Sequence, residues 1–315
     1  MKSVNRTIAA AIAIALVLTG CSQGRKPAAI ITFPSVTVPT IYSDPQPRAE
    51  YLAMHYWDRF NFSDTAYVGS GALATEQAIV DYISIFPYMP YNKAYEGINN
   101  TLSLAERHPA MYAFFTTMME KYLFDVNSQL HNDEYYIPVL EHQLSSVVLD
   151  DYHKIRPQTL INELGKNRPG TMGADIHFAM TTGRKAALSD FKTDFTLVMF
   201  HNLDCGNCRE MAATIEAGAS IKEMQRRNRL TIIALYPGDD LENWRKHIND
   251  MPSSWIHGYD YGREIGDSLT YALRIIPTVY LFDKQRTVIM RDVQPAYVDY
   301  YMNSILNPEL QSGVR

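Results

Sequence analysis

The sequence predicts an α/β domain with a mixed central sheet flanked by helices, preceded by a mostly α-helical domain. Three observations predict it. Apolar residues recur at helical spacing from about residue 47 to 164. From residue 165 the texture changes to short apolar runs alternating with helical stretches. Within that second part, Cys205-Gly206-Asn207-Cys208 directly follows the continuous apolar run Phe195–Phe200. Strand–helix alternation that ends in a hairpin and a helix is the plan of a layered α/β domain.

The first twenty residues belong to neither domain. Lys2 and Arg6 form a basic start, residues 8–18 are apolar, and Leu18-Thr19-Gly20 leads to Cys21. This stretch is too short to span a bilayer comfortably and reads as a secretion signal. Its ending resembles the lipobox of bacterial lipoproteins, which implies lipid on Cys21 and residues 1–20 removed. Losing one Lys and one Arg moves the formal net charge from −5 to −7. No basic stripe is present, so nucleic acid is not an expected partner. Residues 21–46 are polar and contain Pro27, Pro34 and Pro39, the composition of a tether.

Residues 47–164 read as a helical domain. Leu52, Tyr56 and Phe60 recur every four residues, and Ile79, Tyr82, Ile83 and Phe86 make an i, i+3, i+4, i+7 stripe. Pro109 suits a first helical position and precedes Tyr112, Phe115, Met119, Tyr122 and Leu123 on one side. Another helix is expected to hold Leu140, Leu144, Val147 and Val148, and a short one covers 159–164. Aromatic and Met stripes at this spacing are core. His55, His108, His131 and His142 lack metal-ligand spacing, and no metal site is expected.

In residues 165–315 strands are expected at 174–181, Phe195–Phe200, Leu230–Tyr236, 255–259, 279–283 and 287–291. The last two form a hairpin across Lys284-Gln285. Helices are expected at 206–226, 241–249, 263–273 and 296–306.

Cysteine usage is informative. With Cys21 assigned to lipid, only Cys205 and Cys208 remain of three cysteines. A pair this close closes a tiny loop and stabilises a fold little, so its reading is chemical. Two thiols one turn apart at a strand-to-helix junction form a dithiol redox couple, because the helix N-terminus stabilises a thiolate on the first. A zinc site needs a second pair, and covalent haem needs His where Arg209 stands. A peroxiredoxin would carry Thr or Ser at position 202, which is Asn. A static disulfide is the alternative.

Three separated landmarks resemble the thioredoxin superfamily, in its membrane-anchored or secreted TlpA-like branch. They are residues 165–170 followed by Phe178 and Leu188-Ser189-Asp190-Phe191, then Cys205-Gly206-Asn207-Cys208-Arg209-Glu210, and Arg274-Ile275-Ile276-Pro277-Thr278-Val279. The resemblance covers about residues 165–310. It implies that Cys205 is the nucleophile and Cys208 the buried resolving thiol, with no cofactor beyond that couple. It also implies that Pro277 is cis and presents the Ile276 backbone to an incoming disulfide. Where the family often buries a carboxylate this chain has Met199, so proton transfer falls to water, Glu210 or His201. His201 and Asp204 stand where the family often has tryptophan.

The implied function is a lipid-anchored thiol–disulfide oxidoreductase of a bacterial envelope, with outer-membrane sorting favoured by Ser22. Its partners would be protein thiols and disulfides, an unidentified electron donor or acceptor, and the membrane through Cys21. The alternative is a non-catalytic binding lipoprotein that uses the fold as a scaffold. The direction of electron flow stays open, because potentials of such couples span well over ~100 mV.

Overall fold

The computed structural model describes residues 36–265 and 270–311. The signal segment, Cys21 and most of the tether lie outside the described residues.

Six helices come first: α1 (Pro45–His55), α2 (Ala72–Ile83), α3 (Tyr91–Glu106), α4 (Pro109–Leu123), α5 (Asp133–Ser145) and α6 (Asp151–Leu164). Pro109 occupies the first turn of α4, as expected from its missing N–H. The aromatic and Met positions read as core are core: Tyr82, Phe86, Phe115 and Met119 are fully buried. Phe60 joins them from a turn, since α1 has ended at His55.

Two helical expectations are corrected. The α5 helix stops at Ser145, where Ser146 turns to extended φ/ψ, and Val147 and Val148 are exposed rather than core. Here Ser146 and the Val147 N–H are bonded to Glu106 of α3, which pulls the chain away from a further turn. The helix expected over 159–164 starts at Asp151, because Asp150 caps it by accepting from the His153 N–H at 2.9 Å. The α3 helix was not anticipated.

Seven strands follow: β1 (His177–Met180), β2 (Lys185–Ala187), β3 (Phe195–Phe200), β4 (Leu230–Tyr236), β5 (Ile256–Tyr259), β6 (Thr278–Asp283) and β7 (Val288–Arg291). They form one mixed sheet in the order β2-β1-β5-β4-β3-β6-β7. The central pairs β3–β4 and β4–β5 are parallel, whereas β6 runs antiparallel to β3 and pairs with β7. All six β3 residues are buried, which explains the unbroken apolar run: both faces of the strand are covered. Phe195, Leu197 and Met199 point to the side packed by α7 (Gly206–Ala217), α8 (Ala219–Arg226) and α10 (Pro295–Leu306). Val198 and Phe200 point to the other side with Phe178, Tyr271 and Tyr280.

The continuous helix expected over 206–226 is two helices broken at Gly218. Asp299 of α10 accepts from the Ser220 and Ile221 N–H groups at 2.9 and 3.0 Å and so caps α8. A Cβ at Gly218 would stand 2.7 Å from that carboxylate, so only glycine leaves room for the cap. The helix expected over 263–273 is absent among the described residues of that stretch. Arg263 is left-handed (φ 58°), and Asp260 accepts from the Glu264 and Ile265 N–H groups, which makes a turn. A short α9 (Leu241–His247) links β4 to β5. Among the described residues no helix is long and apolar enough to cross a membrane.

Candidate active site

The β3 strand delivers the chain to the end of the sheet, and after five residues α7 begins. Cys205 is the α7 N-cap and Cys208 lies in its first turn. The two form a disulfide with Cα atoms 5.2 Å apart. The Cys208 N–H donates to Cys205 Sγ at 3.1 Å, so the capping position normally held by an oxygen is held by sulfur. In the reduced pair that N–H and the helix dipole would stabilise a Cys205 thiolate. Exposure separates the two sulfurs: Cys205 is half-buried, while Cys208 is fully buried.

Ile276 and Pro277, joined by a cis bond, precede β6. Because Thr278 pairs with Phe200, the register brings this loop to the same end of the sheet as the cysteines. Ile276 and Cys205 pack against one apolar cluster that contains Cys208 and Met199. Two segments far apart in sequence therefore meet at the disulfide.

The surrounding titratable groups divide by burial. Met199 is fully buried, so a thioether fills the place of the family's carboxylate. Glu210 is exposed. It lies two residues beyond Cys208, about 200° around the helix, so it faces away from the inward-pointing sulfur. Asp204 is left-handed (φ 50°) and its side chain is 86% exposed. Its charge is met by Arg209, whose Nη1 stands 3.8 Å from Asp204 and 3.5 Å from Asp250. An anion beside Cys205 is thus solvated and answered by a cation, which leaves the helix terminus as the stronger influence on the sulfur.

His201 is 3% exposed. Burial pushes its pKa down to about 4, against a smaller opposing effect from the Asn202 carbonyl. That carbonyl lies 3.4 Å from Nδ1, so Nδ1 carries the proton, and Nε2 is buried without a partner. Moving a thiol proton from an ordinary pKa onto such a ring is uphill by about 6 kcal/mol. The ring is neutral at pH 7 and lies near the Tyr236 ring, centroids 6.3 Å apart; it is poorly suited to store a proton.

Sequence reasoning missed the groups that join the two parts of the molecule at this end. The α5 helix starts with the acidic tandem Asp133-Glu134, capped by Asn132. Three arginines from beyond residue 165 grip it. Arg274 Nη2 donates to Asp133 Oδ1 at 2.5 Å and Arg168 Nη2 to Glu134 Oε2 at 2.6 Å, while Arg291 Nη2 lies 3.0 Å from Glu134 Oε1. His131, Asp133 and Asp292 bring ligand atoms within 4.8 Å of one another, a set able to hold a cation. Arg274 answers that charge, since it also donates to His131 Nε2 at 2.8 Å. The only signal in the sequence is the position of Arg274, two residues ahead of Ile276.

Comparison with known proteins gives the family and the fold. The model of a domain of unknown function, DUF5106, matches residues 2–167. No curated protein matches the chain. Among solved structures, a thioredoxin-like protein from Bacteroides caccae is 35% identical, with a TM-score of 0.81, and the match covers 87% of this chain and 98% of that one. The C-terminal domain of an uncharacterized protein from Bacteroides fragilis is 34% identical over 44% of this chain and 98% of its own, with a TM-score of 0.42. The thioredoxin domain of a thiol-disulfide oxidoreductase from Bacteroides vulgatus is 20% identical over 43% of this chain and 98% of its own, with a TM-score of 0.38. The chain therefore belongs to the DUF5106 family, whose helical domain is followed here by a thioredoxin-like domain.

Proposed function

We propose that the protein is a thiol–disulfide oxidoreductase that exchanges disulfides with protein substrates through Cys205 and Cys208. The observation that carries this reading is the asymmetry of the pair: a half-exposed sulfur at a helix N-cap, joined to a fully buried one. In the reducing direction the Cys205 thiolate attacks a substrate disulfide, and one substrate thiolate leaves. The Cys208 thiolate then attacks Cys205 Sγ, releasing the second substrate thiolate and re-forming the Cys205–Cys208 bond. Two electrons pass to the substrate, and a dithiol donor restores the pair. The reverse sequence oxidises a substrate dithiol. Ile276 and Pro277 border the sulfur that the substrate must approach. Cys208 packs in an apolar cluster with Met199, so its proton is best lost to water, with Glu210 and His201 in lesser roles.

The lipobox at Leu18-Thr19-Gly20-Cys21 supports anchoring through lipid on Cys21 in a bacterial envelope, facing the periplasm. Metabolic labelling with a radioactive fatty acid tests it: a Cys21→Ala chain should take up no label.

The exchange reading is tested by Cys208→Ala, expressed in the envelope. It should accumulate mixed disulfides through Cys205 that a reductant dissolves, and the wild type should reduce insulin disulfides. If neither occurs, the disulfide is static and the chain is a binding protein built on this fold.

A further inference from the structure

Among the described residues, the loop that borders the cysteines has little backbone support of its own. The β6–β3 ladder begins at Thr278. Among the described residues, the backbone of 272–276 donates no hydrogen bond to another backbone group. Tyr280 Oη donates to the Ala272 carbonyl at 3.3 Å, and Tyr271 Oη to the Ala174 carbonyl at 2.7 Å, but both ties lie at the start of the segment. Leu273 and Ile276 pack on the two faces of the sheet core, and the polar tie between them, among the described residues, is the side chain of Arg274, which leads out of the thioredoxin-like domain.

Arg274 is held on four sides by the helical domain. Nη1 donates to the Phe124 carbonyl at 3.2 Å, and Nη2 to Asp133 at 2.5 Å and to His131 at 2.8 Å. The guanidinium lies 3.9 Å from the centre of the Phe124 ring. The side chains of Arg274 and Asp133 are only 12% and 10% exposed, so water screens the pair weakly. A planar fork that meets a carboxylate, a carbonyl and a ring at once has one geometry, and this fixes the backbone it hangs from. Ile276 is two residues on, about 7 Å of chain.

We propose that Arg274 is a positioning residue, and that the helical domain, through Asp133 and Phe124, fixes the Ile276–Pro277 loop against the Cys205–Cys208 pair. The helical domain is then part of the exchange site without touching the reacting sulfurs. This inference rests on the exchange reading for its kinetic consequence. A protein disulfide must lie along the loop to reach Cys205, whereas a small disulfide need not.

The test uses the full chain with Arg274→Gln and, separately, Asp133→Asn. Arg274→Gln is expected to slow reduction of insulin disulfides about tenfold or more, and to change the rate with hydroxyethyl disulfide less than about twofold. Asp133→Asn should act in the same direction, more weakly, because the carbonyl and ring contacts remain. Backbone order parameters of residues 272–276 from amide relaxation should fall in both variants. The proposal is overturned if those order parameters are unchanged, or if the two substrates lose rate equally. Should Arg274→Gln fail to fold, Asp133→Asn alone decides by the same comparison. If the wild type reduces neither disulfide, the exchange reading fails, and the relaxation result still decides whether Arg274 orders the loop.

Discussion

Arg291 of β7 lies 3.0 Å from Glu134 of α5, an ion pair across the boundary between the helical and thioredoxin-like domains. The arginine side chain is 3% exposed and the glutamate 22%. Its Nη1 is used separately, donating to the Lys166 carbonyl at 2.8 Å. Arg168 supplies a second cation to the same carboxylate. A guanidinium this deep is sustained by its partner, since an unpaired buried charge is costly.

Glu134→Ala should therefore destabilise the protein by about 3 kcal/mol, the usual effect of removing one member of a buried pair. Lys246→Ala is the contrast, because both Lys246 and Glu242 are well exposed, and a loss within about 0.5 kcal/mol is expected there. Urea unfolding at pH 7 measures both. Equal small losses would mean that water or a rearranged Arg168 takes over from Glu134.

His201 predicts a pH dependence. Its folded pKa, about 4, is below the ordinary histidine value, so the unfolded chain binds the proton first as pH falls. Above about pH 6.5 the ring is neutral in both states and contributes no slope. Between about 6.5 and 4 stability is lost, by about 3 kcal/mol in all. His142 and His257 are also lowered by burial and add in the same sense. His201→Phe, which keeps a ring and removes the unpartnered Nε2, should flatten part of that slope in urea titrations between pH 4 and 7. An unchanged slope would show that His201 is not the residue that resists protonation.

Much of the thioredoxin-like half was legible because its signals are local. Five apolar residues in the six of Phe195–Phe200 mark a strand covered on both faces, and the two cysteines mark where it ends. Pro277 and the acidic Asp283 turn fix the hairpin in the same way. The break at Gly218 was not legible, because it depends on Asp299 reaching back from α10. The α3 helix escaped notice because its buried face is built partly from Ala94, Gly97, Thr101 and Ala105, which a count of large apolar residues passes over. Thr101 is buried by bonding to Tyr82, a satisfaction visible only in three dimensions. The Arg274–Asp133 contact spans 141 positions. Neither residue has a local pattern that names the other.

Asp292 should respond to neutralisation with a gain. It sits at the end of β7 with a left-handed φ of 50°, a conformation that Asn also accepts. Burial raises its pKa above the ordinary carboxylate value; His131 and Arg274 oppose the rise and Asp133 adds to it. A raised folded pKa means that this carboxyl contributes most below the unfolded value and loses that contribution as pH climbs through the folded one. Asp292→Asn, which keeps an oxygen for Thr278 Oγ1, should raise the unfolding midpoint at pH 7 and converge with wild type near pH 3. A lower midpoint at pH 7 would mean that the Asp292 charge is needed by His131 and Arg274.

The last prediction concerns the sulfurs themselves. Once reduced, Cys205 stays at the α7 N-cap with the Cys208 N–H directed at its sulfur, and both features favour the thiolate. Cys208 is fully buried in an apolar cluster with Met199, and burial favours the thiol form. Iodoacetamide needs both a thiolate and access, so Cys205 should be alkylated at least about tenfold faster than Cys208. Brief labelling of the reduced protein at pH 7, followed by peptide mass spectrometry, gives the ratio directly. The pH profile of Cys205 labelling should have its midpoint below that of free cysteine, about 8.5. A midpoint at or above that value would mean that Asp204, although solvated and met by Arg209, outweighs the helix terminus.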